Sequence, residues 1–483
     1  MSTPVAVPIE LPRPGAGRRV GRAAKAMASA ARHLTPVAAR KVTRRPVDEA
    51  AIARAVRGVF DDLGATFVKF GQLMGSAPGV FGEAFSDEFR GCLDQGPPLP
   101  FDSVRRIVEE DTAAPFDETF AEFSSEPIAA ASIAVVHRAR LRNGDEVAVK
   151  VLRPGIERLV ATDLDIMEPL FNFLARRVGM APAGPMVQLL SVFRTQVAEE
   201  LDLRNEARFM EHYRDLLAEV DLPELTVPAS YAHLSGRRVL TMEFLDGVAI
   251  DDMEHVAEWG LDPRRLLEVA LQGWFLTAIR NGFFYGDVHA GNFMLLRDGR
   301  LGIVDWGIVG RLDPDTHALF RSIIRAGLGD EEAWTEVANR LDGIYGSAFR
   351  NGLGLSDDAL VAFFRAQISP LLTEPFGEVS LATILAGPIV QSAPADEQQA
   401  GRVRRALMAS RRMRRFSRIV NESGAVGSSV DMGGFLLQKQ LLYFERYGKM
   451  FLADRPLLAD DAFFRAALDA PPIAPERPLA ASG

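Results

Sequence analysis

Asp287 and Asn292 stand five residues apart in Gly286-Asp287-Val288-His289-Ala290-Gly291-Asn292, and Asp305 opens Asp305-Trp306-Gly307 thirteen residues later. A carboxylate can align or deprotonate a hydroxyl or a water. An Asn carbonyl oxygen and a second carboxylate form a hard oxygen donor set, and magnesium favours few carboxylates completed by phosphate oxygens. Gly286 and Gly291 would let the chain turn tightly around Asp287. Upstream, Lys150 follows Val147-Ala148-Val149. A strand lysine between β-branched neighbours can point its ammonium into a cleft as a point charge for phosphate; taken alone it reads first as a solvated strand end. The run Glu199-Glu200-Leu201-Asp202-Leu203-Arg204-Asn205-Glu206 puts Asp202 and Glu206 four apart, on one face of an expected helix. Like charges there cost roughly a few tenths of a kcal/mol unless a cation offsets them. A lysine from another element would supply it; the plain alternative is a solvated face with Glu200–Arg204 as a local pair.

Each of these features is weak alone. Their order is strong: lysine, acidic helix, Asp and Asn five apart, then Asp after a hairpin matches the logic of kinase-like phosphotransferases. In that logic Lys150 meets nucleotide phosphates, Asp287 aligns the acceptor, and Asn292 and Asp305 hold the metal. His289 reads as a loop hydrogen-bonding residue rather than an acid or base, and the other six histidines show no metal-ligand spacing.

The elements that must position these residues can be read from pattern. Residues 48–93 read as helical, closed by the rigid spacer Pro97-Pro98-Leu99-Pro100. Ile133 to Leu141 alternates as a strand, Asn143-Gly144 is a hairpin turn, and Glu146 to Val151 returns. Helical pattern fills 157–218 with an interruption near Pro182–Pro185. Strands are expected at Thr226–Pro228 and Arg238–Phe244, with Asp246-Gly247 as a turn, and a hairpin joins Phe293–Leu296 to Leu301–Val304. The expected fold class is α+β: a two-lobed, protein-kinase-like fold with a small β-rich N-lobe, a large α-helical C-lobe and an N-terminal helical extension. The expected divisions are a basic, disordered tail (1–47), the extension (48–105), the N-lobe with inserted helices (106–245), the C-lobe (246–450) and a C-terminal tail (451–483).

Composition bounds the class. The 483 residues are 48% hydrophobic and 25% charged, ordinary for a globular chain and enough for about two to four domains. Cys92 is the only cysteine, which excludes an internal disulfide or a Cys-built metal cluster and fits a reducing, cytoplasmic setting. No run approaches the roughly 18 apolar residues of a membrane span, and Leu266–Phe284 is interrupted by Glu268, Gln272, Arg280 and Asn281. The net charge of −9 hides an asymmetry, since residues 1–47 carry +9 and the rest −18. An acidic body argues against a nucleic-acid partner. The basic segment Arg402–Arg418, with eight arginines and no acid, fits either peripheral contact with an anionic membrane or pairing with the acidic body. Phe435 to Phe444 reads as a packed amphipathic helix.

Lys69-Phe70-Gly71-Gln72 in the extension is a Lys-x-Gly-Gln motif, and Ala129-Ala130-Ala131-Ser132 stands where a glycine-rich loop would precede Lys150. With these, the chain resembles the UbiB/AarF/ADCK family of atypical, protein-kinase-like proteins over roughly residues 50–320. The resemblance implies ATP and Mg2+ as cofactors, with Ala129, Ala130, Ala131 and Ser132 as an alanine-rich nucleotide loop whose methyl groups restrict the approach glycine permits. It implies Lys150 as phosphate lysine, Glu206 as its helix partner, and Glu243 and Leu245 at a hinge whose backbone meets adenine. It implies Asp287 as catalytic, Asn292 and Asp305 as metal ligands, and Glu200 and Asp202 as an acidic pair engaging Lys69, with Gln72, as a regulatory extension. On a regular helix residues two apart point about 200° apart, so both carboxylates reach one lysine only if the helix is distorted. Departures from the family pattern are Ala134-Val135 for Gly-Gln, Val288 and Ala290 in the catalytic loop, and Trp306 for Phe; none removes an ionisable group. The implied function is a kinase or ATPase in isoprenoid quinone or lipid metabolism, with a lipid or quinone precursor as ligand. The alternative is a nucleotide-gated regulator without phosphotransfer.

Overall fold

The computed structural model describes residues 4, 6–42, 48–75, 83–90, 96–178, 183–220, 222–379, 415, 418–419 and 432–473. Most of the arginine-rich segment 402–418 and Cys92 fall outside them.

The extension is four helices: α1 (Ala16–Val42), α2 (Glu49–Leu63), α3 (Ala65–Gly75) and α4 (Glu83–Arg90). The expected disorder of residues 1–47 does not hold for α1. Small residues at helical spacing let it approach the body closely: Ala26, Ser29 and Ala30 are buried. Arg22 donates to both carboxylate oxygens of the buried Asp163, at 2.5 and 2.9 Å, and to the Leu63 carbonyl. Proline and glycine before Ala16 had signalled disorder; the alanines after it form a packing face. Ahead of α1, Val7 and Asn205 exchange two 3.0 Å hydrogen bonds.

The N-lobe sheet follows α5 (Phe101–Thr112). It comprises β1 (Phe120–Phe123), β2 (Ala129–Ala130), β3 (Ala134–Leu141), β4 (Glu146–Leu152) and, later in the chain, β6 (Val239–Glu243). The order is β1-β3-β4-β6, with β2 also on β3 and every pairing antiparallel. Gly144 turns the β3–β4 hairpin at φ 98°. Register sets Lys150 opposite Val136 and Leu240 on the two central partners. Three helices interrupt the sheet: α6 (Ile156–Val178), α7 (Ala183–Glu200) and α8 (Leu203–Ala218). The alanine run is the short edge strand β2 and the turn that leads into β3.

The C-lobe gathers round α9 (Pro263–Asn281), nearly buried along its length. Short strands β5 (Leu225–Thr226), β7 (Gly247–Ala249), β9 (Phe293–Leu296) and β10 (Leu301–Ile303) form a second sheet, and β8 (Phe283–Tyr285) pairs with β11 (Val309–Arg311). The expected Asp246-Gly247 turn is shorter, because Gly247 already pairs with Leu296. Helices α10 (Pro314–Gly327), α11 (Glu331–Ile344), α12 (Asp357–Thr373), α13 (Met432–Phe451) and α14 (Asp461–Asp469) complete the lobe. Residues 451–473 are part of it rather than a tail: Phe464 packs edge-on against Phe275 at 5.4 Å, and Arg321 donates to the Leu468 carbonyl. The fold is thus the two-lobed, kinase-like α+β arrangement with a helical extension. Among the described residues, no helix is long and apolar enough to cross a membrane.

Candidate active site

Lys150 leaves the middle of β4 and is 9% exposed. Its Nζ lies 2.9 Å from both carboxylate oxygens of Glu206 and 3.1 Å from Asp305 Oδ1. Glu206, also buried, further accepts from the Trp306 backbone N–H at 3.1 Å. One carboxylate therefore ties the strand lysine to the segment bearing Asp305. Burial alone would push Lys150 down; Asp305 and Glu206 reverse this and hold its pKa above the ordinary lysine range. Burial pushes the Glu206 carboxyl up against the pull of Lys150.

Asp305 has φ 60°, a left-handed conformation that Asp tolerates better than most residues. Its Oδ1 accepts from Gly307 N–H at 3.2 Å, and its side chain is half exposed. Burial of the surroundings pushes it up, but Lys150 and Lys69 outweigh that and Asp287's repulsion, so its pKa is lowered. Trp306 is fully buried between Tyr213 and Tyr285, with ring centroids 4.6 and 4.9 Å away. The larger ring at the family's Phe position thus anchors the segment.

The loop after β8 holds Asp287 and Asn292. Asn292 Nδ2 donates to the Asp287 carbonyl at 3.2 Å and to its Oδ2 at 3.3 Å, so the Asn292 carbonyl oxygen is the end a cation would use. His289 keeps to the loop: its Nδ1 accepts from Gly291 N–H, and its Nε2 lies 3.5 Å from Asp287 Oδ2. Neither glycine turns the chain through a positive φ. Gly286 is needed for close approach, since a Cβ there would sit 3.0 Å from the Ile308 carbonyl oxygen.

The acidic helix of the sequence reading is broken in two. Glu200 ends α7, and Asp202 is the extended N-cap of α8, accepting from Arg204 N–H. Asp202 and Glu206 therefore do not share a helical face. Glu200 reaches Lys69 at 2.5 Å, while Asp202 binds the Arg204 guanidinium at 2.7 and 2.9 Å. Of the two, Glu200 meets the extension and Asp202 does not. Lys69 is aimed by its neighbour Phe70, fully buried against Phe171 and Phe193. Gln72 lies one turn farther along α3, half-buried.

At the junction between lobes, the N–H groups of Glu243 and Phe244 are bonded to Ala229 and Glu146. Among the described residues, no backbone partner meets Leu245, the position expected to face adenine. Across the cleft, the Ala131 carbonyl accepts two bonds from Arg153, which pins the alanine turn to the end of β4. Ser132 closes that turn and is buried.

Two residues were missed by sequence reasoning. Lys439 Nζ, from α13, lies 2.7 Å from Asp287 Oδ1. Gln440 accepts from Val288 N–H at 2.8 Å and donates to the Gly286 carbonyl at 2.6 Å. Burial pushes Asp287 up, yet Lys439 and His289 together hold its carboxyl well below the usual range. A signal was present: Leu436, Gln440, Phe444 and Tyr447 form a helical stripe, all four are buried, and a glutamine in a buried stripe must have partners.

The donor set suits Mg2+: it is all oxygen, and one carboxylate reaches solvent.

A model of the ABC1 atypical kinase-like domain matches residues 92–338. An uncharacterized aarF domain-containing protein kinase, At5g05200, of Arabidopsis thaliana chloroplasts is 33% identical over 416 residues, covering 84% of this chain and 73% of that protein. The uncharacterized protein Rv0647c of Mycobacterium tuberculosis is 42% identical over 271 residues, 55% of each chain. The probable protein kinase UbiB of Marinobacter nauticus is 33% identical over 264 residues, 54% of this chain and 48% of that one. With the lysine–glutamate pair, the Asp–Asn loop and the following Asp gathered at one cleft, the chain belongs to the ABC1 atypical kinase-like family, alongside relatives named for aarF and UbiB.

Proposed function

We propose that the chain is an atypical ATP- and Mg2+-dependent phosphotransferase or ATPase. The observation that carries this is the Lys150 ammonium, held between Glu206 and Asp305, with Asp287 near enough to act on the Asp305 carboxylate and Asn292 bonded to Asp287. Lys150 would offset phosphate charge, Glu206 would aim it, and the Leu245 backbone would meet the base. Asn292 and Asp305 would hold Mg2+, which when bound neutralises charge on the phosphate oxygens. Asp287 would align a hydroxyl or water and take its proton as the new bond to the γ-phosphorus forms and the bond to the departing ADP breaks. Little covalent work falls to the protein, so positioning and electrostatics carry the rate.

The acceptor we favour is a small, lipid-like hydroxyl compound or water rather than a protein. Helix α3 is tied to the site by Lys69–Glu200, and Lys69 is near enough to lower the pKa of Asp305. A helix held there narrows the approach for a folded substrate. The link to quinone or lipid metabolism, and peripheral contact with anionic membrane, rest on the family resemblance and on charge alone.

The test is phosphate release from ATP with Mg2+, with and without anionic vesicles, beside Asp305→Asn. Asparagine also tolerates the left-handed backbone, so the variant isolates the charge. Turnover that drops about 1000-fold in the variant supports the reading. Tight Mg2+–ATP binding without turnover under any condition would favour a nucleotide-gated regulator. Absence of nucleotide binding would overturn both.

A further inference from the structure

The ammonium on Asp287 comes from a helix about a hundred residues beyond the matched domain, which ends at 338. Lys439 is 9% exposed and Gln440 fully buried. Stability alone does not call for such a pair, since buried ion pairs are commonly replaced by apolar side chains at no loss. The contacts are also specific in pattern. Gln440 bonds the peptide groups on either side of Asp287, accepting from Val288 N–H and donating to the Gly286 carbonyl. Lys439 takes the side chain between them, and its ammonium sits 5.9 Å from the Tyr443 ring centroid.

We propose that Lys439 and Gln440 are positioning residues for the reaction: Gln440 clips the catalytic-loop backbone, and Lys439 holds the Asp287 carboxylate in line with the acceptor. This rests on the phosphotransfer reading of the site. The matched domain therefore does not contain its whole catalytic apparatus; α13 supplies the part that sets the loop. The groups facing Asp287 are Lys439 from α13, His289 and Asn292 in the loop, Tyr285 on β8 and Asp305 after β10, with Lys69 of α3 acting on Lys439. With Lys439 removed, Asn292 and His289 are the side-chain contacts left to orient the Asp287 carboxylate among the described residues.

The experiment uses the full chain with Lys439→Met, Lys439→Arg and Gln440→Leu, reading turnover, Mg2+–ATP affinity and amide hydrogen exchange of residues 286–291. We expect Lys439→Met to lower turnover about 100-fold and to leave nucleotide affinity within about threefold. Arginine should restore part of the loss. Gln440→Leu, which keeps the charge, should speed exchange in the loop by about tenfold. Unchanged turnover in Lys439→Met would overturn the proposal, as would loop exchange unchanged in both Gln440→Leu and Lys439→Met. If the wild type shows no turnover, the phosphotransfer reading fails by itself, and loop exchange still decides whether the clip exists.

Discussion

The two sides of the cleft are built differently. The phosphate side, with Lys150, Glu206 and Asp305, is assembled from a central strand, the first turn of a helix and the end of a hairpin, all within the matched domain. The loop side, with Asp287 and Asn292, is completed by Lys439 and Gln440 from outside it. Both sides pair a buried lysine with a carboxylate. On the phosphate side the lysine has two acidic partners, Glu206 and Asp305. On the loop side the partner is Asp287, the carboxylate proposed for catalysis. In the proposed reaction the same type of ion pair would set charge for binding in one place and for chemistry in the other.

Several substitutions break or sharpen that contrast. The largest expected effect is Asp287→Asn, which should lower turnover about 1000-fold while leaving Mg2+–ATP affinity nearly unchanged, read by phosphate release beside calorimetry. Loss of affinity to the same degree would erase the distinction between the sides. Next, Lys69→Met strands Glu200, whose side chain is only 4% exposed, and should cost about 3 kcal/mol in urea unfolding. The loop side should be untouched, with the exchange of residues 286–291 unaltered. Smaller is Asp202→Ala, which removes the α8 cap and the Arg204 pair and should cost about 1 kcal/mol. A loss as large as that of Lys69→Met would mean that Asp202 also serves the extension.

The smallest effect is a titration. Burial pushes the His212 imidazole on α8 down to about 4. The folded chain keeps it neutral while the unfolded chain protonates it near its ordinary value of about 6.5. Stability from this group is full above about pH 6.5 and declines as pH falls towards about 4. Asp287, held low, keeps its contribution above the ordinary carboxylate pKa and loses it only as pH falls through its own depressed value. Acid should therefore loosen the helix of Glu206 before it loosens the loop. Chemical-denaturation midpoints from pH 7 to 4.5 should flatten in His212→Gln; an equal slope in wild type and variant would count against this order.

What was legible in the sequence follows the same divide. Lys150, Asp287, Asn292 and Asp305 sit in short segments whose local pattern fixes their geometry: an alternating hairpin strand, a loop of set length, a two-strand return. Glu206 was legible as the lysine's partner, but the path to it was not, because a regular helix was assumed across Leu201. Asp202, a preferred capping residue, was the overlooked sign of a helix start. Its cap separates it from Glu200, so that one carboxylate meets Lys69 while the other caps a helix. The packing of α1 was hidden because proline and glycine ahead of Ala16 dominated the reading, whereas the face that buries Ala26 and Ala30 is defined only by its neighbour. Gln440 stands out only as a glutamine in the stripe of Leu436, Phe444 and Tyr447, and Lys439 belongs to no local motif; tertiary contact alone shows that both meet the loop of Asp287.

The most direct test of the central claim measures Mg2+–ATP affinity and turnover together in Lys150→Met and Asp287→Asn. The account predicts opposite profiles: Lys150→Met weakens nucleotide binding markedly, and Asp287→Asn preserves binding while nearly abolishing turnover. Equal loss of both quantities in both variants, or turnover that survives Asp287→Asn, would contradict it.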